Sequence, residues 1–339
     1  MNPLAIANQI DGLIVTLSRI GTPLQVALLV AALGLLVLTA IPAARDWRGL
    51  GLLAMTVLLV VGELVLAWFH WSLYRAMPVV NPTTSGVTGH VAAPLWIESE
   101  KLYVWALVVA IMGLLMRRDR RELLGGVNVI VGLFTIGAVV FGKPFTQPLP
   151  GLLAQYGGYL QAMMSGVLAS AQPAFEGMEG SRQFFYNSWY MWIHPPLLFF
   201  SYGAFTISFV ATIRMIRERR SRFETTAYHW ARLGYLALTT GMLLGFPWAI
   251  IAWQGESWWW SGKVNMSLMM WLLYTAYLHA RLYLRRRGMW RWVAAIAVLS
   301  FAVLVLTYIT TYVVPGAHSY AAEGLKALPF ALLPGGGRG

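Results

Sequence analysis

Eight long apolar segments set the strongest limit on how this chain folds. A helix that crosses the hydrocarbon core of a bilayer needs about 20 mostly apolar residues. The chain is 58% hydrophobic and 11% charged, whereas soluble domains carry about 25% charged residues. We therefore predict an all-α polytopic membrane protein with about eight transmembrane helices, at residues 23–43, 50–72, 102–117, 125–143, 195–213, 230–252, 264–284 and 292–314.

Arginine clusters between these segments predict the orientation. Sixteen of the 25 lysines and arginines lie in four short stretches that follow the odd-numbered segments, Arg45–Arg48, Arg117–Arg121, Arg214–Arg222 and Arg281–Arg291. Because positive residues accumulate in cytoplasmic loops, both termini are expected on the extracytoplasmic side. The same clustering explains the net charge of +12 without nucleic acid as a partner.

The remaining segments are read as parts of one membrane domain, residues 1–339. Residues 1–22 carry apolar side chains at mixed helical spacing, which predicts an interfacial helix on the lipid surface. Residues 144–191 form the largest extracytoplasmic loop, and residues 315–339 form an extracytoplasmic tail. Membrane lipid is therefore an expected partner.

One extracytoplasmic loop concentrates tryptophan between two predicted spans. Trp258, Trp259 and Trp260 follow Gly255 and Glu256 closely along the chain, with Ser257 between them. Tryptophan favours the membrane–water boundary because its ring is apolar and its N–H needs a polar partner. An ordinary aromatic belt is spread over many helix ends, so a single aromatic loop indicates a flat surface for a large planar ligand.

Two histidines are expected near this loop. His194 opens the fifth predicted span and His318 follows the eighth, so both lie on the extracytoplasmic side. Imidazole is a common axial ligand of heme iron, and two imidazoles can bind opposite faces of one porphyrin. The alternative is that each is an interfacial histidine bonded to backbone or water.

Two further histidines lie within or at the ends of predicted spans. His279 is some fifteen residues into the seventh span, over 20 Å from the outer surface at about 1.5 Å per residue. Ionisable groups at such depth are functional candidates; otherwise His279 is hydrogen-bonded to a neighbouring helix or hydrated. His70 ends the second span on the outer side, so it cannot share a metal with His279, and its role stays open.

The tryptophan loop and the residues after it resemble a family of heme-handling proteins. These are the cytochrome c biogenesis proteins of the CcsA/ResC type, with CcmF and CcmC as relatives. Their signature reads roughly W-x-W-D-P-x-E, followed by a Trp and then Leu-His-x-Arg. The aligned stretch here is Trp258–Lys263, and Trp271 and Leu278–Arg281 follow it without a gap.

The outer histidines extend this resemblance to about residues 50–322. His318 lies in Gly-Ala-His-Ser-Tyr, which is similar to the family's Gly-Leu-His-Ser-Tyr. His194 is followed by Ser201 and Tyr202, as the family's outer histidine is followed by Ser-Tyr. The length of the chain and the number of predicted spans favour the CcsA type. The local sequence His-Pro-Pro-Leu-Leu, which begins at His194, is closer to CcmF.

The signature departs from the family at its acidic half. The signature Asp is Ser261, the Pro is Gly262, and the later acidic residue is Val264. Glu256 or a partner protein is left to supply a carboxylate.

The resemblance implies a mechanism for heme b. His279 would hold heme in the membrane, opposite a ligand from a CcsB/ResB-type partner. At the outer face His194 and His318 would bind the iron, and the tryptophan loop would present the porphyrin edge. The thiols of apocytochrome c would then add to the heme vinyl groups, as in a holocytochrome c synthase (heme lyase). The implied location is a bacterial cytoplasmic or thylakoid-like membrane.

Two other functions stay open. The first is a degenerate homologue that serves as a structural or heme-binding subunit of a larger membrane complex, which the loss of the signature Asp at Ser261 favours. The second is a transporter for a lipid or small anion. A transporter needs polar groups along a midplane path, and only Glu63 and His279 qualify.

Overall fold

The predicted all-α fold class is confirmed. The computed structural model describes residues 2–116, 122–219, 221–252, 261–284 and 287–313. Its helices are α1 (Pro3–Ala40), α2 (Arg48–Ala76), α3 (Lys101–Leu115), α4 (Leu124–Gly137), α5 (Pro150–Met164), α6 (Leu168–Ser181), α7 (Trp189–Glu218), α8 (Ser221–Ala252), α9 (Gly262–Leu284) and α10 (Trp290–Val313). Two short antiparallel strands, β1 (Pro78–Val80) and β2 (Val87–His90), follow α2.

Within the described ranges, six helical stretches are long and apolar enough to cross a membrane. They are Pro3–Ala40, Pro42–Ala76, Leu124–Gly142, Trp189–Glu218, Arg222–Ala252 and Trp290–Thr311. The other two predicted spans are also helices: α3, which has only 15 residues, and α9. Many large apolar side chains are exposed on the outer faces of these helices. The chain is a multi-pass membrane protein.

The first helix differs from the two pieces that the sequence predicts. α1 continues through Pro23 without a break between residues 22 and 23. Its 38 residues span about 57 Å at 1.5 Å per residue, nearly twice the thickness of a hydrocarbon core. Ile10, Leu17 and Leu28 are buried on one face, and α2 and α4 pack against this helix. The first turn of α1 lies beside β1 and α5, where Ile6 shares a pocket with Val80 and Tyr159.

Trp105 of α3 joins four helices in the core. Its ring contacts Phe134 of α4, Tyr202 of α7 and Tyr308 of α10, with centroid distances of 4.6, 5.6 and 5.6 Å. Its indole N–H donates to the Thr206 hydroxyl at 3.2 Å. Elsewhere α7 packs mainly on α8, and α9 on α10.

The bundle has two chemically different ends. At one end, which we call the arginine end, Arg222 forms an ion pair with Glu122, and Arg281 forms one with Glu224. The residues between α2 and α3 and those between α4 and α7 pack over the other end, which we call the cavity end.

Backbone caps and side-chain hydrogen bonds hold this outer layer together. The Glu98 carboxylate accepts from the amide N–H groups of Gly151 and Leu152 at 2.7 and 3.0 Å, which caps α5. Tyr159 bonds to both the N–H and the C=O of Val80, and so joins α5 to β1. These contacts hold the outer layer in place over the cavity end.

Candidate functional site

A cavity of about 190 Å³ lies at the cavity end, between α3, α7, α8, α9 and α10. Its wall is mostly aromatic and aliphatic. The described lining residues are Trp96, Ile97, Lys101, Phe185, Met191, His194, Pro195, Leu198, Phe199, Tyr202, Met242, Gly245, Phe246, Trp248, Ala249, Lys263, Val264, Ser267, Thr307, Tyr308 and Thr311. An apolar cavity with a few polar groups is the usual form of a small-molecule site.

His194 is held in one tautomer by the backbone of α8. Its Nδ1 lies 2.7 Å from the carbonyl oxygen of Gly241, and a carbonyl can only accept, so Nδ1 carries the proton. In the neutral ring Nε2 is then the lone-pair nitrogen. Within the described part of the chain, Nε2 has no hydrogen-bond partner. Histidines that bind metals commonly have this arrangement: one ring nitrogen binds the metal, and the N–H of the other donates to a backbone carbonyl or a carboxylate.

The absence of a side chain at Gly245 allows the imidazole to lie against α8. A Cβ atom at that position would lie 2.7 Å from Cε1 and 2.9 Å from Nδ1 of His194. Trp248, one turn further along α8, lies 6.3 Å from the imidazole, centroid to centroid. The ring position is therefore set by close packing as well as by the hydrogen bond.

Two tryptophans close the walls of the cavity. The Trp96 indole N–H donates to the carbonyl of Met191 at 2.7 Å, and the Trp248 N–H donates to the carbonyl of Phe184 at 2.6 Å. Both polar atoms are thus satisfied within the wall, and the apolar ring area is left for a ligand.

Ser261 occupies the cap position of α9. Its hydroxyl accepts from the amide N–H of Val264 at 3.4 Å, and its carbonyl accepts from Asn265 at 3.1 Å. Aspartate is as good as serine at this position. The replacement of the signature Asp therefore keeps the helix cap and removes a negative charge from the edge of the cavity.

The structure brings His194 and Tyr202 to one cavity but keeps His279 apart. His279 is exposed on the side of α9, and its Nδ1 bonds to the carbonyl of Thr275 at 2.8 Å. It follows the cavity-lining Lys263 by four and a half helical turns, about 24 Å along the axis.

His70 lies outside the cavity in a buried ion pair. Its Nδ1 bonds to the carbonyl of Ala93 and its Nε2 to the Glu100 carboxylate, both at 2.8 Å. Burial raises the pKa of Glu100, while the neighbouring imidazole lowers it. Because both ring nitrogens are bonded, His70 joins α2 to the segment before α3 and is not available as a metal ligand.

The other predicted site residues lie outside the described residues. These are the tryptophan-loop residues Gly255, Glu256, Trp258, Trp259 and Trp260, and His318 after α10. The described chain ends and resumes beside the cavity: Ala249 and Lys263 flank the loop segment, and Thr311 precedes the tail.

Two lysines of the cavity wall, Lys101 and Lys263, had no role predicted from the sequence. They are 162 positions apart in the chain and begin different helices. The only sequence signal is that each lysine starts an apolar segment, where a charge is expected in any case.

The family match follows the same residues. Residues 95–318, about two thirds of the chain, match the family described as cytochrome C assembly protein. The chain belongs to this family. The matched range runs from the segment that contributes Trp96 through α3 and α7–α10, and includes every element that lines the cavity.

Named relatives agree with the assembly family. The chain is 28% identical to CcmF of Haemophilus influenzae over 245 residues, 69% of this chain and 33% of the relative. It is 26% identical to CcmF of Escherichia coli over 249 residues, 69% of this chain and 34% of the relative. A third relative is the probable cytochrome c-type biogenesis protein NrfE of Escherichia coli, 32% identical over 153 residues, 41% of this chain and 27% of the relative.

This chain spans about a third of the length of these relatives, or less. The predicted relationship to cytochrome c biogenesis proteins is confirmed. The relatives named here are of the CcmF and NrfE type, to which the CcsA/ResC type is related.

Proposed function

We propose that this assembly protein binds heme b at the cavity end and presents it to apocytochrome c for covalent attachment. The observation that carries the proposal is the geometry of His194, whose Nδ1 is bonded to the Gly241 carbonyl and whose Nε2 is thereby left as the acceptor. The rings of Trp96, Trp248 and Tyr308 in the cavity wall also offer stacking area to a flat apolar macrocycle.

The sequence supplies further candidates for the same site. The tryptophan loop leaves α8 after Ala252 and returns at Ser261, so Trp258, Trp259 and Trp260 are tethered at both sides of the cavity. His318 lies five positions beyond Val313, the last residue of α10, and five residues span at most about 18 Å of extended chain. In this proposal His318 would supply the second nitrogen to the iron. The proposed orientation puts this end outside the cytoplasm.

The bound heme supplies the two vinyl groups to which cysteine thiols of apocytochrome c add, sulfur to one vinyl carbon and hydrogen to the other. This addition consumes no oxidant. His194 would fix the iron, and the walls around Trp96 and Trp248 would exclude water and restrict the orientation of the two reactants, which is the proximity effect.

A second proposed heme position is at His279. Its Nδ1 is oriented by the Thr275 carbonyl, as His194 is oriented by Gly241. Its exposure on the side of α9 suits a ligand from a membrane partner of the CcsB/ResB type or from another subunit of a larger complex. We place the protein in the bacterial cytoplasmic membrane.

The test is heme binding by the purified full chain, expressed with its partner proteins and with heme available. We expect a Soret band that weakens in His194→Ala and remains in His229→Ala, since His229 is an exposed histidine of α8 outside the cavity. Added imidazole should restore the band in His194→Gly. A wild-type protein that contains no heme under these conditions would contradict the proposal.

The structural-subunit alternative rests on Ser261, which keeps the cap of α9 without the acidic group. Deletion of the gene separates the two functions. Normal cytochrome c maturation after deletion favours the structural subunit, and loss of maturation that His194→Ala reproduces favours heme presentation.

A further inference from the structure

We propose that Lys101 and Lys263 bind the two propionate carboxylates of the heme that His194 ligates. The inference rests on the proposed function and assigns residues to a part of the ligand that the histidines do not contact. It makes one wall of the cavity a site for a dicarboxylate.

The two lysines share the cavity with His194. All three are among the residues that line it. No acidic side chain is found among the described residues that line the cavity. The basic groups of this described wall are therefore the two lysines and His194.

Helix geometry adds to this positive potential. Lys101 is the first residue of α3, and Lys263 is the second residue of α9. The N-terminal end of a helix carries a partial positive charge and unpaired N–H groups, which favour anions. Two such ends and two lysine side chains thus meet at one apolar cavity.

The carboxylate that precedes Lys101 by three positions belongs to the outer layer. Both oxygens of Glu98 accept backbone N–H groups of α5, so this carboxylate caps a helix. Carboxylates of a ligand would offset the repulsion between Lys101 and Lys263 and form charge-assisted hydrogen bonds.

The departures from the family signature point the same way. Ser261 and Val264 stand where the signature has acidic residues, and Lys263 lies between them. The start of α9 is therefore positive in this chain. Heme fits such a wall because it brings two carboxylates on one edge together with an iron for His194.

The experiment compares heme with its dimethyl ester, in which both carboxylates are blocked. The purified full chain in nanodiscs of neutral lipid is titrated with each porphyrin, and binding is followed by absorption. The variants are Lys101→Gln, Lys263→Gln and the double variant, with Lys143→Gln as the control, because Lys143 is exposed and outside the cavity.

We expect each cavity variant to weaken heme binding on the order of tenfold, with the Soret position unchanged because His194 still ligates the iron. Lys143→Gln should bind as the wild type does. The dimethyl ester should bind the wild type more weakly than heme does, and the lysine variants should bind this ester with wild-type affinity.

Equal losses for heme and its ester in the lysine variants would overturn the inference, because the lysines would then act on the fold. Unchanged heme affinity in the double variant would also overturn it. A third contrary result is a difference in heme affinity between wild type and lysine variants that disappears in nanodiscs of anionic lipid, because the lysines would then bind a lipid phosphate. In each of these cases, heme binding by the wild type would still support the proposed function. The proposed function itself fails if the wild-type protein shows no Soret band.

Discussion

At the scale of single residues, the position of the His194 ring depends on a glycine in another helix. The imidazole lies against Gly245, where a Cβ atom would approach Cε1 to 2.7 Å. Real Cβ atoms are almost never that close to a ring atom, so any side chain at Gly245 must displace His194. The displacement would also strain the hydrogen bond to Gly241 that fixes the tautomer.

We therefore expect Gly245→Ala to weaken heme binding by about tenfold, the effect typical of lost orientation of a metal ligand. The measurement is the heme titration monitored at the Soret band, with thermal unfolding as a check on folding. Gly34→Ala is the matched control, since Gly34 is also helical and a Cβ there meets nothing within 4 Å. Wild-type affinity in Gly245→Ala would contradict the assignment of His194 as a ligand.

At the scale of elements, one carboxylate of α6 links this helix to the β1–β2 hairpin. The Glu179 carboxylate accepts from the Thr88 hydroxyl of β2 at 2.8 Å and from Arg182 at 2.8 and 2.6 Å. The hydrogen bonds from Arg182 hold the pKa of Glu179 below its ordinary value. Because this carboxylate joins the hairpin to α6, its protonation should weaken the attachment of β2, while Tyr159 still holds β1.

The pH dependence has a definite sign. A carboxyl with a lowered pKa in the folded state stabilises it at pH values above the ordinary glutamate pKa of about 4.3, and this contribution is lost as the pH falls through the folded value. We expect amide protection in Val87–His90 to decrease below about pH 4, measured as hydrogen-exchange protection factors. Glu179→Gln should lack this acid-dependent decrease, whereas Glu176→Gln on the same helix should keep it.

The elements that the sequence predicted are those formed by local hydrophobic pattern. In the described part of the chain, each of the eight predicted apolar segments is mainly helical, because a continuous apolar run in lipid must satisfy its backbone hydrogen bonds internally. The β1–β2 hairpin was missed, since Pro78–Val80 is only three residues long and wholly buried. The division of α1 at residue 22 did not appear, because the burial of Ile10 and Leu17 against neighbouring helices is a tertiary effect.

The site was predictable only in part, for the same reason. His194 could be found because it opens an apolar segment beside a proline pair, a local feature. The Gly241 carbonyl, Gly245 and the two lysines come from other helices, and nothing in their own neighbourhoods marks them. The pairing of His70 with Glu100 likewise joins residues 30 positions apart.

At the scale of the whole molecule, the two ends of the bundle differ in their residues and in the elements that cover them. The arginine end carries the ion pairs of Arg222 and Arg281, and the cavity end carries the hairpin, α5 and α6. Positive residues favour the cytoplasmic side of a membrane. This asymmetry predicts that the cavity opens to the extracytoplasmic side, where apocytochrome c would be met.

The chain offers a clean test of this orientation, because it contains no cysteine. Single cysteines at Thr84, exposed beside the hairpin, and at Arg287, exposed at the arginine end, provide one reporter for each side. In spheroplasts, a membrane-impermeant maleimide should label Thr84→Cys directly and Arg287→Cys only after permeabilisation. The unsubstituted chain is the blank. Direct labelling of Arg287→Cys together with protection of Thr84→Cys would show the opposite orientation, in which the cavity faces the cytoplasm.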